Sequence, residues 1–257
     1  MPTTTFTVTR DQIIAAALRK LGVLELGATP DADTLSSSSL ALNLFIKQMA
    51  TEGLKLWTIE EGVLPLVSNQ TTYTLGPSGD YFYNASDISK TAVVDKPLKV
   101  LPSNAFIRNT TITPSTDTPL MVISRQEYNL LGSKFSAGTP NSLYYNVRQN
   151  TGELSLFLTP DTTASSTYEV HFVYQRPIYD ISSASDTPDF PVEWMNVLVW
   201  NLADQLAMDY GVALNKRQEI AVRAKAYRED LTGWDTEVVS TFFQPDYRMM
   251  FKAGGSV

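Results

Sequence analysis

Three acidic side chains stand close together ahead of a predicted helix, in the run Asp186-Thr187-Pro188-Asp189-Phe190-Pro191-Val192-Glu193-Trp194. Two carboxylates at a suitable separation are the minimum that glycoside hydrolysis requires, one as acid and the other as base or nucleophile. The same residues also have a structural use, since acidic groups before a helix accept from its unpaired amides and oppose the positive end of its dipole. Asp31 and Asp33 read the same way ahead of an earlier helix. His171 is the only histidine and cysteine is absent. A Ser/His/Asp triad would have to recruit His171, which sits in Tyr168-Glu169-Val170-His171-Phe172-Val173-Tyr174, an alternating strand pattern with no nucleophile elbow beside it. It reads as a surface or pairing residue. With one histidine and no thiol, sulfur-ligated zinc or iron-sulfur sites and paired catalytic histidines are excluded within one chain. Neither a GxxxxGK[ST] nor a GxGxxG run occurs, which removes those forms of nucleotide chemistry. No catalytic residue, cofactor or metal is assigned, and the chain is expected not to be an enzyme.

The 257 residues include 20 basic and 27 acidic side chains, a net charge of -7. That balance argues against a surface that broadly neutralises phosphates, although it leaves room for a local basic patch. The length allows one large domain or two modest ones. Residues 1–9 are Thr-rich without a basic and then apolar stretch, so a secretory signal is not expected. The longest apolar stretch, 194–208, is interrupted by Asn196, Asn201, Asp204 and Gln205 and is too short and polar to span a bilayer.

The elements that must position these residues change period along the chain. Thr9 with Gln12 forms a capping-box pattern, and Ile13, Ile14, Ala17, Leu18 and Leu21 predict a helix over 10–21, stopped by Gly22. A second helix, capped by Asp31 or Asp33 and ending at Gly53, carries Leu35, Leu42, Phe45, Ile46 and Met49 on one side. Its serine run, 36–39, reads as a solvated face or else as a place where another helix approaches closely, and the first is the expectation. From Leu56 the period is strand-like: 62–67 and 71–75 read as a hairpin around Ser68-Asn69-Gln70, and 76–96 as a long loop. Further strands are predicted near 98–101, 120–123, 143–147, 153–158 and 168–174, with a short helix capped by Ser124 and Glu127 and closed by Gly132. Helical signals return after Pro177. A helix opening at Pro191 and ending at Gly211 is apolar on most sides, and a last one over 215–238 sets Ile220, Ala224, Tyr227, Leu231 and Trp234 on a bundle or coiled-coil seam. The expected class is α+β: a helical bundle formed by the N- and C-terminal helices, an inserted antiparallel β-domain (sandwich or small barrel), and an extended C-terminal arm. The corresponding divisions are 1–55, 56–177, 178–238 and 239–257.

Most aromatic residues, among them Trp57, Tyr73, Trp194, Trp200 and Trp234, fall on core periodicities. The tail differs. Ser240-Thr241-Phe242-Phe243-Gln244-Pro245-Asp246-Tyr247-Arg248-Met249-Met250-Phe251-Lys252 is too apolar for an ordinary disordered terminus, yet it has a proline and no helical period. Such a segment docks on a partner as a strand or arm with its aromatics as anchors, or else folds back on its own β-domain.

Taken together, the chain resembles the head-to-tail adaptor (tail accessory, or packaged-DNA stabilisation) proteins of short-tailed bacteriophages. The matching residues run in order: Ile13-Ile14-Ala15-Ala16-Ala17-Leu18-Arg19-Lys20-Leu21-Gly22-Val23, Leu42-Asn43, Gly53-Leu54-Lys55-Leu56-Trp57, Tyr73-Thr74-Leu75-Gly76, Gly152-Glu153-Leu154 and Leu158-Thr159-Pro160. They continue with Arg176-Pro177, Phe190-Pro191-Val192-Glu193-Trp194, Asn201-Leu202-Ala203, Tyr210-Gly211 and Phe242-Phe243-Gln244-Pro245. Residues 76–142 depart from the pattern.

The resemblance implies a structural virion protein at the head-tail junction, assembled in the host cytoplasm, that joins others as a ring, usually dodecameric, under the portal. The ring would extend the channel through which DNA passes without sequence-specific binding, and would offer its lower face to a downstream tail or nozzle protein. Carried onto this chain, the portal-binding arm would be Phe242, Phe243, Gln244, Pro245, Tyr247 and Arg248. Portal, self and tail protein are the partners implied, with no membrane. Two other readings stay open: a cell-wall (peptidoglycan) hydrolase using Asp189 and Glu193, to which some relatives have been linked although no motif here supports it, and a carbohydrate- or receptor-binding tail module built on 56–177.

Overall fold

Apolar side chains recur with helical spacing at both ends of the chain and with strand spacing between, and two separate cores follow. A computed structural model of the chain describes residues 6–53, 55–80, 82–87 and 94–235. Helix α1 (Arg10–Leu21) opens where the Thr9 amide donates to the Gln12 side chain at 3.0 Å, and it closes on Gly22, whose φ of 74° is the left-handed conformation that a Cβ would strain. Helix α2 (Ala32–Thr51) is capped by Asp31, whose carboxylate accepts from the Thr34 amide at 2.7 Å; that bond holds the carboxyl below its ordinary pKa. The serine run is not wholly solvated as expected. Ser36 and Ser37 are exposed, but Ser38 follows the buried face set by Leu42, Phe45 and Ile46, and its hydroxyl has no partner among the described residues.

The chain continues through β1 (Ile59–Pro65), β2 (Thr72–Leu75), β3 (Tyr83–Asn84), β4 (Lys99–Asn109), β5 (Thr116–Pro119), β6 (Met121–Val122), α3 (Arg125–Leu130), β7 (Ala137–Gly138), β8 (Ser142–Val147), β9 (Gly152–Phe157), β10 (Thr159–Pro160), α4 (Thr162–Thr167) and β11 (Tyr168–Gln175). It ends, within the described residues, with α5 (Met195–Asp209) and α6 (Leu214–Trp234). The strands form a five-stranded antiparallel sheet in the order β3-β1-β11-β4-β5, a four-stranded sheet in the order β2-β9-β8-β6, and a parallel pair of β7 and β10. Alternate residues of the two larger sheets meet in one core: Leu64, Phe82, Ile107, Val170 and Phe172 from the first, Tyr73, Leu75, Leu143, Leu154 and Leu156 from the second. The protein is thus α+β, with a β-sandwich.

Two expectations change. The predicted hairpin around Ser68-Asn69-Gln70 does not pair its own strands, because β1 joins β11 and β3 while β2 joins β9 in the other sheet. The turn, with Asn69 at φ 63°, carries the chain from one sheet to the other. The strand expected near 98–101 extends to Asn109, past Pro102, and its register against β11 shifts between Phe172 and Tyr174. Pro102 lacks a ladder donor and lies opposite that irregularity, where none is required.

The second core joins α1, α2, α5 and α6. Ile13, Leu18, Leu42, Phe45, Ile46, Trp194, Leu198, Leu202 and Ile220 are buried together, with Ile178 and Ile181 from the connecting segment. The seam expected on the last helix is half buried. Ile220 and Ala224 face the core and Leu231 packs at its edge, but Tyr227 is 39% and Trp234 69% exposed. The last four residues predicted for that helix, 235–238, are not helical in the described part: Asp235 follows the helix end, and 236–238 lie outside the described residues. Because β1 and β11 are antiparallel neighbours, both connections to the helical core leave the sandwich side by side, with the Arg176 amide donating to the Thr58 carbonyl at 2.8 Å.

Candidate interaction site

The carboxylates singled out for chemistry lie at this double connection, and each has a separate task. Asp189 accepts from both terminal nitrogens of Arg176, the Nη2 contact at 2.9 Å, while the Arg176 Nε donates to Glu60 at 3.0 Å. The other Glu60 oxygen accepts from the Tyr174 hydroxyl at 3.0 Å and the Asn84 amide at 2.7 Å. One guanidinium is therefore clamped between a carboxylate of β1 and one preceding α5, and its hydrogen bonds to Asp189 raise its pKa further. Burial, with Glu60 close by, pushes the Tyr174 hydroxyl well above its usual range. Trp57 adds a third tie, its indole N–H donating to the Asp189 carbonyl at 3.2 Å. Asp186 closes a turn by accepting from the amides of Ser182 and Ser183 at 3.1 and 2.6 Å, and Glu193 is exposed at the turn leading into α5. Both oxygens of the Asp189 carboxylate are taken up by the one guanidinium, a paired, geometrically fixed arrangement. Asp186 and Asp189 thus each hold a separate structural contact, the first within a turn and the second across the connection.

His171 is nine-tenths buried and pairs through Nδ1 with Glu61 at 2.6 Å. Its ring stacks on Phe106 at 4.7 Å, and the Arg108 guanidinium stands 5.0 Å from the same phenyl ring. Arg108 in turn grips Asp117 with two bonds of 2.7 Å, which lower the Asp117 pKa. This is a cross-strand ladder over β1, β11, β4 and β5, and it gives the histidine a pairing role.

At the end of α6 a third cluster fastens the helix to the link between α2 and β1. Lys55 is 2% exposed, with its Nζ 4.7 Å from the centre of the Trp194 ring. Asp235 accepts from the Leu56 amide at 3.3 Å, and Arg228 approaches Glu52 at 3.5 Å. Burial lowers the Lys55 pKa, with Asp235 opposing; burial raises that of Asp235, with the Leu56 amide and Lys55 opposing. Lys55 and Arg176 stand in runs that carry the resemblance, but nothing in the sequence assigned them or Asp235 a role, because their partners are far along the chain. The predicted arm follows this anchor, and Phe242, Phe243, Gln244, Pro245, Tyr247 and Arg248 lie outside the described residues.

Among the described residues no three His, Asp or Glu side chains gather to hold a metal ion, and no helix is long and apolar enough to cross a membrane. A family model described as SU10 adaptor protein matches residues 8–238 of the chain. No curated protein matches it.

Proposed function

The chain belongs to the SU10 adaptor protein family, a family of phage head-to-tail adaptors, and from that premise we propose that it works as a ring under the portal of a short-tailed phage. The observation that carries this reading is the extent of the family match, residues 8–238, which takes in the helical core, the sandwich and all of α6. In this reading the ring is dodecameric, extends the DNA channel, and presents its lower face to a downstream tail or nozzle protein, after assembly in the host cytoplasm. The units are 1–55 and 178–238 as the ring body, 56–177 as the inserted sandwich, and 239–257 as the arm.

The arm residues Phe242, Phe243, Gln244, Pro245, Tyr247 and Arg248 bind the portal. Support comes from their apolar, proline-containing composition and from the fastening of α6 by Asp235 immediately before them. The net charge of -7 suits a channel that surrounds DNA without gripping it. The chain performs no catalysis in this account; the clamp on Asp189 takes support from a carboxylate hydrolase. Removing residues 240–257 tests the arm: the truncated chain stays folded and monomeric and no longer joins portal rings, whereas truncated chain that still rings the portal contradicts it. On purified peptidoglycan, the parent chain is expected to be as inactive as a variant carrying Asp189→Ala and Glu193→Ala.

A further inference from the structure

Helix α5 packs against α1, α2 and α6, which leaves the helical part with unlike outer faces. On one side α2 turns Leu40 and Leu44 outward, 63% and 62% exposed, with Asp33 and Ser37 on the same face. At 3.6 residues per turn these positions stand about half a turn from Leu42, Phe45, Ile46 and Met49, which are buried. On another side Trp200 of α5 lies between α1 and α6: the Lys20 Nζ is 4.9 Å and the Arg223 guanidinium 5.4 Å from its ring, and Tyr227 stacks on it at 6.1 Å. Trp234 continues this row two turns farther along α6. The α5 residue Gln205, about 140° around the helix from Trp200, lines a groove between Phe45 and Gln48 of α2 and Ala221, Lys225 and Arg228 of α6. The leucine stripe on α2 and the aromatic row between α1 and α6 are therefore separate faces of the helical part.

We propose that these two faces are the two halves of one contact between copies of this chain, Leu40 and Leu44 of each copy lying against the Trp200, Tyr227 and Trp234 row of the next. The proposal rests on the ring reading above and says which surfaces close the ring. A ring demands a heterologous contact, in which two different patches meet; a self-complementary patch stops at a dimer. The charges also complement one another. The stripe begins beside Asp31 and Asp33, and the basic residue at its far end, Lys47, is paired with Asp180 at 2.6 Å. The row carries Lys20 and also Arg223, which Glu219 pairs at 2.8 Å, with Lys216 close by at the end of α1, where it donates to the Leu21 carbonyl at 2.9 Å. Nucleic acid would use those cations but would leave the leucine stripe without a purpose.

The absence of cysteine makes the contact testable in the full chain. Leu44→Cys combined with Trp234→Cys, and Leu40→Cys combined with Lys20→Cys, place two thiols at exposed positions, one on each face. Mixed with portal rings and treated with a flexible bismaleimide, at least one double variant yields a ladder of covalent oligomers, while each single variant stays monomeric. Dimers from Leu44→Cys or Leu40→Cys alone reveal a symmetric contact and overturn the proposal. So does the absence of any ladder when the parent chain visibly rings the portal. Loss of that ladder together with duplex-DNA binding that Lys20→Glu and Arg223→Glu abolish assigns the row to nucleic acid instead. A parent chain that forms no ring on portal is a different result, and it overturns the head-to-tail reading itself.

Discussion

At the scale of single residues, the ties that matter are charges drawn from distant parts of the chain. Arg176 is 12% exposed and stands between Glu60 and Asp189. Arg176→Ala leaves both carboxylates without their cation at the connection, and unfolding by urea should show a loss of about 3 kcal/mol. Arg176→Lys keeps the charge but not the fork, so it should fall between. The buried Asp235 offers a test by pH. Its folded pKa is raised, so the folded chain takes up this proton before the unfolded chain does, and stability from this group grows as pH falls from the raised value toward about 3.8. Asp235→Asn lacks that gain; relative to the parent, its melting temperature should fall steadily between pH 7 and pH 4. Parallel melting profiles for the two proteins contradict the role given to this carboxyl. The roles of Arg176 and Asp235 were not legible beforehand, since Asp235 meets Leu56 and Arg176 meets Glu60 only through the fold. Asp186 and Asp189 were noticed, and the structural alternative weighed for them was an amide acceptor before a helix. Asp186 does accept amides, though in a turn; Asp189 has an arginine.

At the scale of elements, what is encoded locally could be read. The capping boxes at Thr9 with Gln12 and at Ser124 with Glu127 both form, because each needs only residues three apart. Strand partners could not be read the same way. The turn at 68–70 satisfies every local sign of a hairpin, but the pairing is decided by which sheet each apolar face joins. Two substitutions probe the two cores. Trp194, fully buried beside Trp57 and Phe190, should cost about 3–5 kcal/mol as Trp194→Ala in denaturant unfolding. In the sandwich, a Cβ at Gly152 would stand 2.1 Å from the Tyr145 hydroxyl, which is held by the Pro97 carbonyl at 2.6 Å. Gly152→Val should therefore destabilise by about 1–3 kcal/mol, while Gly132→Ala, which meets open space, should change little.

At the scale of the whole molecule, two cores are joined by neighbouring strands, and α6 is fastened to the link between them. Periodicity gave the exposed leucines of α2 no role, and it set Trp234 on a seam that leaves it 69% exposed in one chain; in the proposed reading the partners of both are outside that chain. With a net charge of -7 the chain should not retard duplex DNA at physiological salt. A salt-sensitive shift there would contradict a channel that lets the genome slide. The central claim, that this adaptor is a ring body with a portal-binding tail, meets its most direct test in electron microscopy of isolated portal rings mixed with the chain. The account predicts a closed ring seated on the portal with the full chain and bare portal with the chain lacking residues 240–257. Bare portal with both, or a seated ring with both, would contradict it.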